Sequence, residues 1–135
     1  MLSCMVDLLF KDESCRIIGS CMAVHKKMGS GFLESVYMEA LEIQFNQDDI
    51  PSVKEKKLSI IFDNILLDKN FKSDFVCFNE IIVELKATPF IHKNDLNQVF
   101  NYLKATGLKL GILVNFGEKS LSYKRVLNLP PSCNS

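Results

Sequence analysis

The sequence has no net charge. Its 16 acidic and 16 basic residues cancel, which leaves a formal charge of zero at pH 7. A protein that holds a long nucleic-acid duplex mainly by neutralising phosphates needs a basic field over its surface. The composition excludes such a field for the chain as a whole, so any contact with nucleic acid is expected to be local.

The cysteine patterns of zinc sites and disulfide scaffolds are also missing. The cysteines are five, an odd number, and they show no C-x-x-C spacing and no nearby pair of histidines. This argues against a zinc knuckle and against a disulfide scaffold. We predict reduced thiols, most of them buried. The five residues are Cys4, Cys15, Cys21, Cys77 and Cys133.

No apolar run is long enough to span a bilayer. The first ten residues are apolar but include Asp7 and lack a basic n-region, so they indicate neither a membrane span nor a signal peptide. The sequence also contains no internal repeat, low-complexity segment or linker. With 135 residues, 47% of them hydrophobic, the chain can bury a real core. We predict one cytoplasmic domain over residues 1–135, without membrane contact and with loosely ordered ends at 1–11 and 129–135.

The hydrophobic periodicity predicts an α/β fold. Apolar residues recur at helical spacing in two early segments, after which the pattern changes to the alternation typical of strands. A third helical segment, with Asn94 as the expected cap, separates two later strands from the others. A strand, a helix and another strand in succession suggest a crossover that places residues 80–87 and 108–116 side by side in parallel. The predicted helices are 12–28, about 33–47 and about 94–106, and the predicted strands are 54–62, 65–67, 71–78, 80–87, 108–116 and 121–127.

The strand candidate at 80–87 carries the most informative charges. It is almost continuously apolar, as expected of a central strand, but Glu84 and Lys86 interrupt it. These two side chains project from one face, while Val83 and Leu85 point to the other. In an edge strand they would form an ordinary exposed ion pair. In a central strand an unpaired carboxylate would cost several kcal/mol, so Glu84 would need a cation, hydrogen bonds or a raised pKa.

A second carboxylate is predicted to lie beside Glu84. Asp74 is in the preceding strand candidate, and a hairpin-like pairing through Asn79 would bring the two acidic side chains together. Hard oxygen ligands of this kind suit Mg²⁺ or Mn²⁺. Lys86 in the same pocket could stabilise charge on a phosphate or lower the pKa of an attacking water.

Two helices offer further candidates. Glu34 and Tyr37 are neighbours at the start of the second helix, and Gln98 and Tyr102 lie one turn apart on the third. Glu34 could instead be a first-turn charge favoured by the helix dipole, with Tyr37 as a core aromatic. The pair on the third helix could face solvent or lean over the strand that carries Glu84.

Taken together, these motifs resemble the bacterial GxxExxY proteins, a family of the PD-(D/E)XK nuclease superfamily. The resemblance runs from about residue 17 to residue 126. The ordered combination is far more specific than any one motif. The matching segments are Gly29-Ser-Gly-Phe-Leu-Glu34-Ser-Val-Tyr37, Asp74, Glu84-Leu-Lys86, and the run that begins Gln98-Val-Phe-Asn-Tyr102.

The resemblance implies a restriction-endonuclease-like core, with a four-stranded mixed sheet flanked by helices. Asp74 and the pair Glu84 and Lys86 would form the metal and catalytic centre, and Glu34 would be the acidic residue of the first helix motif. Ser73 stands where the superfamily pattern has proline before the first aspartate. By the same resemblance Tyr37, Gln98 and Tyr102 would line the site.

Two functions follow as hypotheses. The first is an Mg²⁺- or Mn²⁺-dependent nuclease, with DNA as the favoured substrate, in which Asp74, Glu84 and Glu34 hold the metal and Lys86 stabilises charge. In this hypothesis Glu34 is either a third ligand or a base that positions water. The second is a catalytically silent nuclease-like module for nucleic-acid binding or protein assembly, which suits the small size and zero net charge. An exposed edge strand at 121–127 is also a candidate homodimer surface.

Overall fold

The computed structural model describes residues 9–129, which form three helices and five strands. The helical and alternating sequence patterns lie where these elements lie, to within a few residues. Within the described range no helix combines the length and the apolar character that crossing a bilayer requires. The helices are α1 (Lys11–Met28), α2 (Glu34–Gln47) and α3 (Lys93–Thr106), and the strands are β1 (Ser52–Phe62), β2 (Ile65–Cys77), β3 (Ile81–Lys86), β4 (Leu110–Asn115) and β5 (Ser122–Leu127).

The five strands form one mixed sheet in the order β1-β2-β3-β4-β5. β3 and β4 are parallel and joined through α3, whereas the other neighbours are antiparallel. The α/β class, the mixed sheet and the parallel crossover are therefore confirmed. The resemblance implies four strands, and this number is wrong because the sheet has five.

The helices cover the two faces of the sheet separately. α1 and α2 pack on one face over a core that includes Val83 and Leu85 of β3. α3 packs on the other face, where Val99 and Leu103 contact Ile82 of the same strand. Covered on both sides, β3 is a central strand, which accounts for its nearly continuous apolar sequence.

The β1–β2 hairpin is longer than the sequence pattern indicates. Asp63 and Asn64 form the expected turn with positive φ values of 51° and 61°. The segments predicted at 65–67 and 71–78 are one strand, because the polar residues between them keep strand geometry and Asn70 pairs with Ser59 of β1. The register then shifts between Ser59 and Ile61.

The start of α3 differs from the prediction in its cap. The cap is His92 rather than Asn94, and its backbone N–H donates to Asp95 Oδ2 at 3.1 Å. Aspartate at the third helical position thus accepts the backbone N–H of the cap residue, as in the reciprocal half of a capping box.

The cysteines of residues 9–129 are free thiols. Cys21 and Cys77 are buried and Cys15 is exposed. Burial raises the pKa of both buried thiols, which keeps them protonated. Cys4 and Cys133 lie outside the described residues. So do most residues of the predicted loose ends, although Lys11 is already helical.

Candidate active site

The site forms where β2 and β3 part. Their ladder ends at the pair Phe75 and Val83, and the next residues along each strand are Asp74 and Glu84. Glu84 Oε2 accepts a hydrogen bond from the backbone N–H of Asp74 at 3.1 Å. Asp74 Oδ2 accepts one from the backbone N–H of Leu85 at 2.9 Å. The two carboxylates thus satisfy backbone donors that a continued ladder would have used, and they meet as predicted.

An irregularity in the neighbouring strand accompanies this opening. Phe71 and Asp74 are three residues apart in β2, yet both face α3, so the ordinary alternation is broken between them. On β1, Glu55 has a φ of +55° between positions that pair with Phe75 and Ser73. A backbone conformation that side chains rarely adopt therefore lies across the ladder from Asp74.

The end of β3 that carries Lys86 is held by β4. Asn115, opposite Lys86 in the parallel register, is fully buried. Its side chain accepts from the Thr88 N–H at 3.1 Å and donates to the Thr88 carbonyl at 2.9 Å. A Cβ at Gly117 would lie 2.3 Å from the Thr88 carbonyl oxygen, so the close approach requires glycine there. These contacts fix the strand end from which Lys86 projects.

Lys86 reaches from β3 towards α3. Its Nζ lies 3.6 Å from Oδ1 of Asp95, and the two side chains are only 28% and 17% exposed. The lysine is thereby placed between the carboxylates of the sheet and the first turn of α3.

One face of α3 closes the site above the sheet. Gln98 Nε2 donates to the Tyr102 hydroxyl at 2.7 Å. The Tyr102 ring stacks on Phe71 with ring centroids 3.5 Å apart. Of the two arrangements left open by the sequence, these side chains therefore adopt the one that leans over the sheet.

Glu34 and Tyr37 occupy different environments although they are neighbours on α2. Glu34 lines the same pocket as Asp74 and Glu84. Tyr37 is fully buried, stacks on Phe116 and donates its hydroxyl to the Gly29 carbonyl at 2.6 Å. It lies outside the pocket lining and holds the glycine-containing loop before α2. The alternative of a core aromatic is therefore right for Tyr37, and its expected place in the pocket lining is wrong.

A pocket of about 220 Å³ joins six of the seven residues proposed from the sequence. Sequence reasoning missed Phe71, Lys72 and Asp95, which also line it. Asp95 has a helical signal, because it lies three residues before Gln98 and seven before Tyr102 on one face of α3. The six joined residues are Glu34, Asp74, Glu84, Lys86, Gln98 and Tyr102.

A family model described as the PD-(D/E)XK nuclease superfamily matches residues 11–126. The chain belongs to the PD-(D/E)XK nuclease superfamily. Membership of the GxxExxY family within it stays a prediction. A comparison with curated proteins finds no match.

Among solved structures, the crystal structure of SSO0001 is similar to the chain described here. The TM-score is 0.55 at 14% sequence identity, and the alignment covers 74% of this chain and 53% of that one. The chain therefore spans about half the length of SSO0001. At this identity the likeness concerns the fold, and it agrees with the mixed sheet and flanking helices described above.

The environment of the pocket raises the pKa of two of its carboxyl groups. Burial, then the adjacent Asp74 carboxylate, raise the pKa of Glu84 far above its usual range, and Lys86 only partly offsets this. Desolvation by the surrounding protein also raises the pKa of Glu34, helped by Asp74 and Asp95. Such a cluster favours proton uptake or the binding of a cation.

The donor set fits a hard divalent cation, the kind that nucleases of this superfamily generally use. Asp74 and Glu84 offer adjacent carboxylate oxygens in a partly desolvated pocket. Within residues 9–129 no three acidic, histidine or cysteine side chains gather closely enough to hold an ion on their own. One or two carboxylates plus water and substrate phosphate form a usual Mg²⁺ environment, so the residues present suit that ion.

Proposed function

We propose that the protein is a divalent-cation-dependent nuclease that hydrolyses phosphodiester bonds, with DNA as substrate. The observation that carries the proposal is the meeting of Asp74 and Glu84 where two strands part, with Lys86 in the same pocket. Membership of the superfamily supports the nuclease activity, and the choice of DNA and of Mg²⁺ or Mn²⁺ is the specific part of the proposal.

In this proposal Asp74 and Glu84 hold the cation, and Glu34, which lines the same pocket, contacts it through a water molecule or is the base that positions water. The bound cation would bring the scissile phosphate and the attacking water together and stabilise the leaving oxygen. Glu34 suits the role of base because its raised pKa lies closer to neutrality than that of a free glutamate.

In the proposal two polar groups of the chain act on the phosphate. The Lys86 ammonium can donate to a non-bridging oxygen and stabilise the negative charge that grows as the water oxygen bonds to phosphorus. The Tyr102 hydroxyl accepts from Gln98, which leaves its own proton to donate to the substrate. Lys72, on the pocket wall, brings a further positive charge, which it shares with Glu55, whose Oε2 lies 3.9 Å from its Nζ.

The test is cleavage of single-stranded DNA, double-stranded DNA and RNA by purified protein with Mg²⁺, Mn²⁺ or EDTA. We expect cleavage of DNA with either cation, none with EDTA, and at least about a 100-fold loss in Asp74→Asn and Lys86→Ala. Asp68→Asn, on the same strand as Asp74, and Lys109→Ala are the matched controls and should cleave as wild type does.

Calorimetric titration with Mg²⁺ and Mn²⁺ separates failure of cleavage from failure of the metal site. Wild type should bind at millimolar concentrations or below, and Asp74→Asn should bind more weakly. A protein that binds DNA but is inert with every substrate and metal would instead be the silent binding module. Equal activity in wild type and Asp74→Asn would contradict the proposed site.

A further inference from the structure

Two exposed phenylalanines lie on the loops that lead into the helices of the site. Phe32 precedes α2, whose first residue is Glu34, and Phe90 precedes α3. The first turn of α3 carries Asp95, and both Glu34 and Asp95 line the pocket. The Phe32 side chain is 46% exposed and that of Phe90 is 56% exposed. We call these two rings the aromatic rim.

Both loops are anchored at the carboxyl ends of the parallel strands β3 and β4. Asn115, the last residue of β4, holds Thr88 of the second loop through two hydrogen bonds. The next residue, Phe116, stacks on Tyr37, and the Phe32 ring packs against Tyr37 with ring centroids 5.9 Å apart. The aromatic rim therefore lies at the end of β3 that carries the lysine of the pocket.

The Phe90 ring is held in place by its neighbours. The Thr88 hydroxyl donates to the Phe90 carbonyl at 2.8 Å, and the His92 ring lies against the Phe90 ring with centroids 4.3 Å apart. The His92 N–H in turn donates to Asp95, whose other carboxylate oxygen lies 3.6 Å from Lys86 Nζ. These contacts fix an exposed ring relative to the pocket, so little conformational freedom remains to be lost when the ring binds a ligand.

The aromatic rim is within reach of a nucleic acid bound in the pocket. Phe90 follows Lys86 by four residues, so their backbones are at most about 14 Å apart. Phe32 precedes Glu34 by two residues, which limits that separation to about 7 Å. Successive nucleotides of one strand are about 3.4 Å apart along a duplex axis. Both rings therefore lie within about four nucleotides of a phosphate held in the pocket.

The chemistry of the aromatic rim favours nucleobases as its occupant. Two half-exposed rings offer about 200 Å² of apolar surface, far below the roughly 1,000 Å² that a specific protein interface buries. Stacking on a base requires only one ring face. Neither loop, residues 29–33 or 87–93, contains an acidic residue, and His92 and Lys93 lie beside Phe90. Stacking also supplies affinity that a chain without net charge does not obtain from a basic field.

We propose that the aromatic rim stacks on bases next to the scissile phosphate and makes unpaired DNA the preferred substrate. The faces of bases inside a duplex are covered by the neighbouring base pairs, and exposing them costs unstacking energy. Phe32 and Phe90 can therefore stack on a single strand or a frayed end, but not on an intact duplex. The inference rests on the proposed function in that the pocket takes DNA, and it adds the strand state that the site prefers.

A tryptophan in place of Phe90 tests this inference, because the chain contains no tryptophan of its own. Phe90→Trp keeps an aromatic face and supplies a single fluorophore. In EDTA, which prevents metal-dependent cleavage, a single-stranded oligonucleotide should quench its fluorescence more strongly than a long blunt duplex or an abasic strand does. The abasic strand keeps every phosphate and lacks the bases, so the difference reports stacking alone. Phe62→Trp is the matched control, since Phe62 is 68% exposed and outside the pocket lining, and it should respond equally to both strands.

Fluorescence anisotropy of a labelled single strand in the same buffer gives the affinities. Phe90→Ala should raise the dissociation constant at least about fivefold, whereas Phe90→Trp and Phe62→Ala should bind as tightly as wild type or better. Circular dichroism should show every variant folded. Equal affinities of wild type and Phe90→Ala, an equal loss in Phe62→Ala, or a duplex bound as tightly as the single strand would overturn the inference. So would a dimer in sedimentation that Phe90→Ala dissociates, because the rim would then bind a second copy.

The same variants separate this inference from the proposed nuclease activity. Single-strand binding that depends on Phe90, in a protein that cleaves nothing with Mg²⁺ or Mn²⁺, would support the aromatic rim and contradict the nuclease. Cleavage and binding that are unchanged in Phe90→Ala would support the nuclease and contradict the aromatic rim.

Discussion

The two faces of β3 are built for different purposes from one six-residue strand. Val83 and Leu85 point into the core under α1 and α2 and are at most 1% exposed. Glu84 and Lys86 point towards α3 and line the pocket. One face gains stability from apolar burial, whereas the other keeps a desolvated carboxylate beside a second one.

The comparison shows how the fold supports a costly site. The carboxylates accept backbone N–H groups where the ladder ends, and Asn115 and Gly117 fix the strand beyond it. The rigid apolar face thus holds the charged face in place. If this division is right, substitutions on the pocket face should lower activity with little change in stability. Substitutions on the core face should lower stability with little change at the pocket.

The largest effect is expected from Lys86 on the pocket face. Lys86→Met keeps the length of the side chain but removes its charge, so cleavage should fall by about 10²–10³-fold. The free energy of unfolding should change by less than about 1 kcal/mol, because the half-buried ion pair with Asp95 contributes little. Cleavage rates and urea denaturation of the same preparation measure both quantities. A loss of activity that merely follows a loss of folded protein would remove the distinction between the faces.

Leu85→Ala tests the core face. Removal of this buried side chain should lower the free energy of unfolding by about 2–5 kcal/mol. The Mg²⁺ affinity of the protein that remains folded should match wild type, because the side chain packs in the core under α1 and α2 and the substitution keeps the backbone N–H that binds Asp74. Denaturation and calorimetry at low temperature test this, with Leu85→Met as the volume-conserving control. A large drop in metal affinity at constant folded fraction would show that the faces are not independent.

Sequence periodicity was sufficient to predict the helices, the central strand and the parallel crossover, since each depends on the local spacing of apolar residues. It failed in β2, where Asp68, Lys69 and Asn70 look like loop residues but belong to the strand, and Asn70 pairs with Ser59 of β1. A long ribbon that leaves the core keeps strand geometry through its backbone hydrogen bonds, without apolar burial on each alternate residue. The strand count from the resemblance failed for a different reason, because a superfamily core does not specify added strands.

The sequence predicted the site about as well as it predicted the fold. The spacing of Glu84 and Lys86 indicated a shared face, and the turn at Asn79 indicated the pairing with Asp74. Lys72 and Asp95 were missed because their approach depends on the broken alternation in β2 and on the position of α3, which are tertiary features. The burial of Tyr37 followed from packing against Phe116, a contact far away in sequence.

A smaller effect is expected from Glu84→Gln, and its size depends on pH. The raised pKa means that the folded state binds a proton at Glu84 more tightly than the unfolded state does. Its contribution to stability is therefore full below about pH 4, the ordinary range of glutamate, and is lost progressively as pH rises above it. Without divalent metal, Glu84→Gln should be more stable than wild type at pH 8, by about 1–3 kcal/mol.

Thermal unfolding at pH 4.5 and pH 8 in EDTA measures this difference. The advantage of Glu84→Gln should be larger at pH 8, and Glu80→Gln, an exposed residue before β3, should show no such change. Saturating Mg²⁺ should stabilise wild type and remove the advantage. An advantage of equal size at both pH values would mean that the charge of Glu84 has no measurable cost.

The smallest effect is expected from Asp95, the acidic residue that sequence reasoning missed. Asn at this position retains an oxygen for the His92 N–H but removes the charge that faces Lys86, so stability should fall by less than about 1 kcal/mol. If Asp95 positions the lysine for the phosphate, Asp95→Asn should lower kcat several-fold with little change in KM, and Asp95→Glu should recover part of the loss. If it only caps α3, both variants should keep the wild-type kcat. The kinetic comparison thus decides whether the charged face of β3 extends its organisation to the first turn of the helix above it.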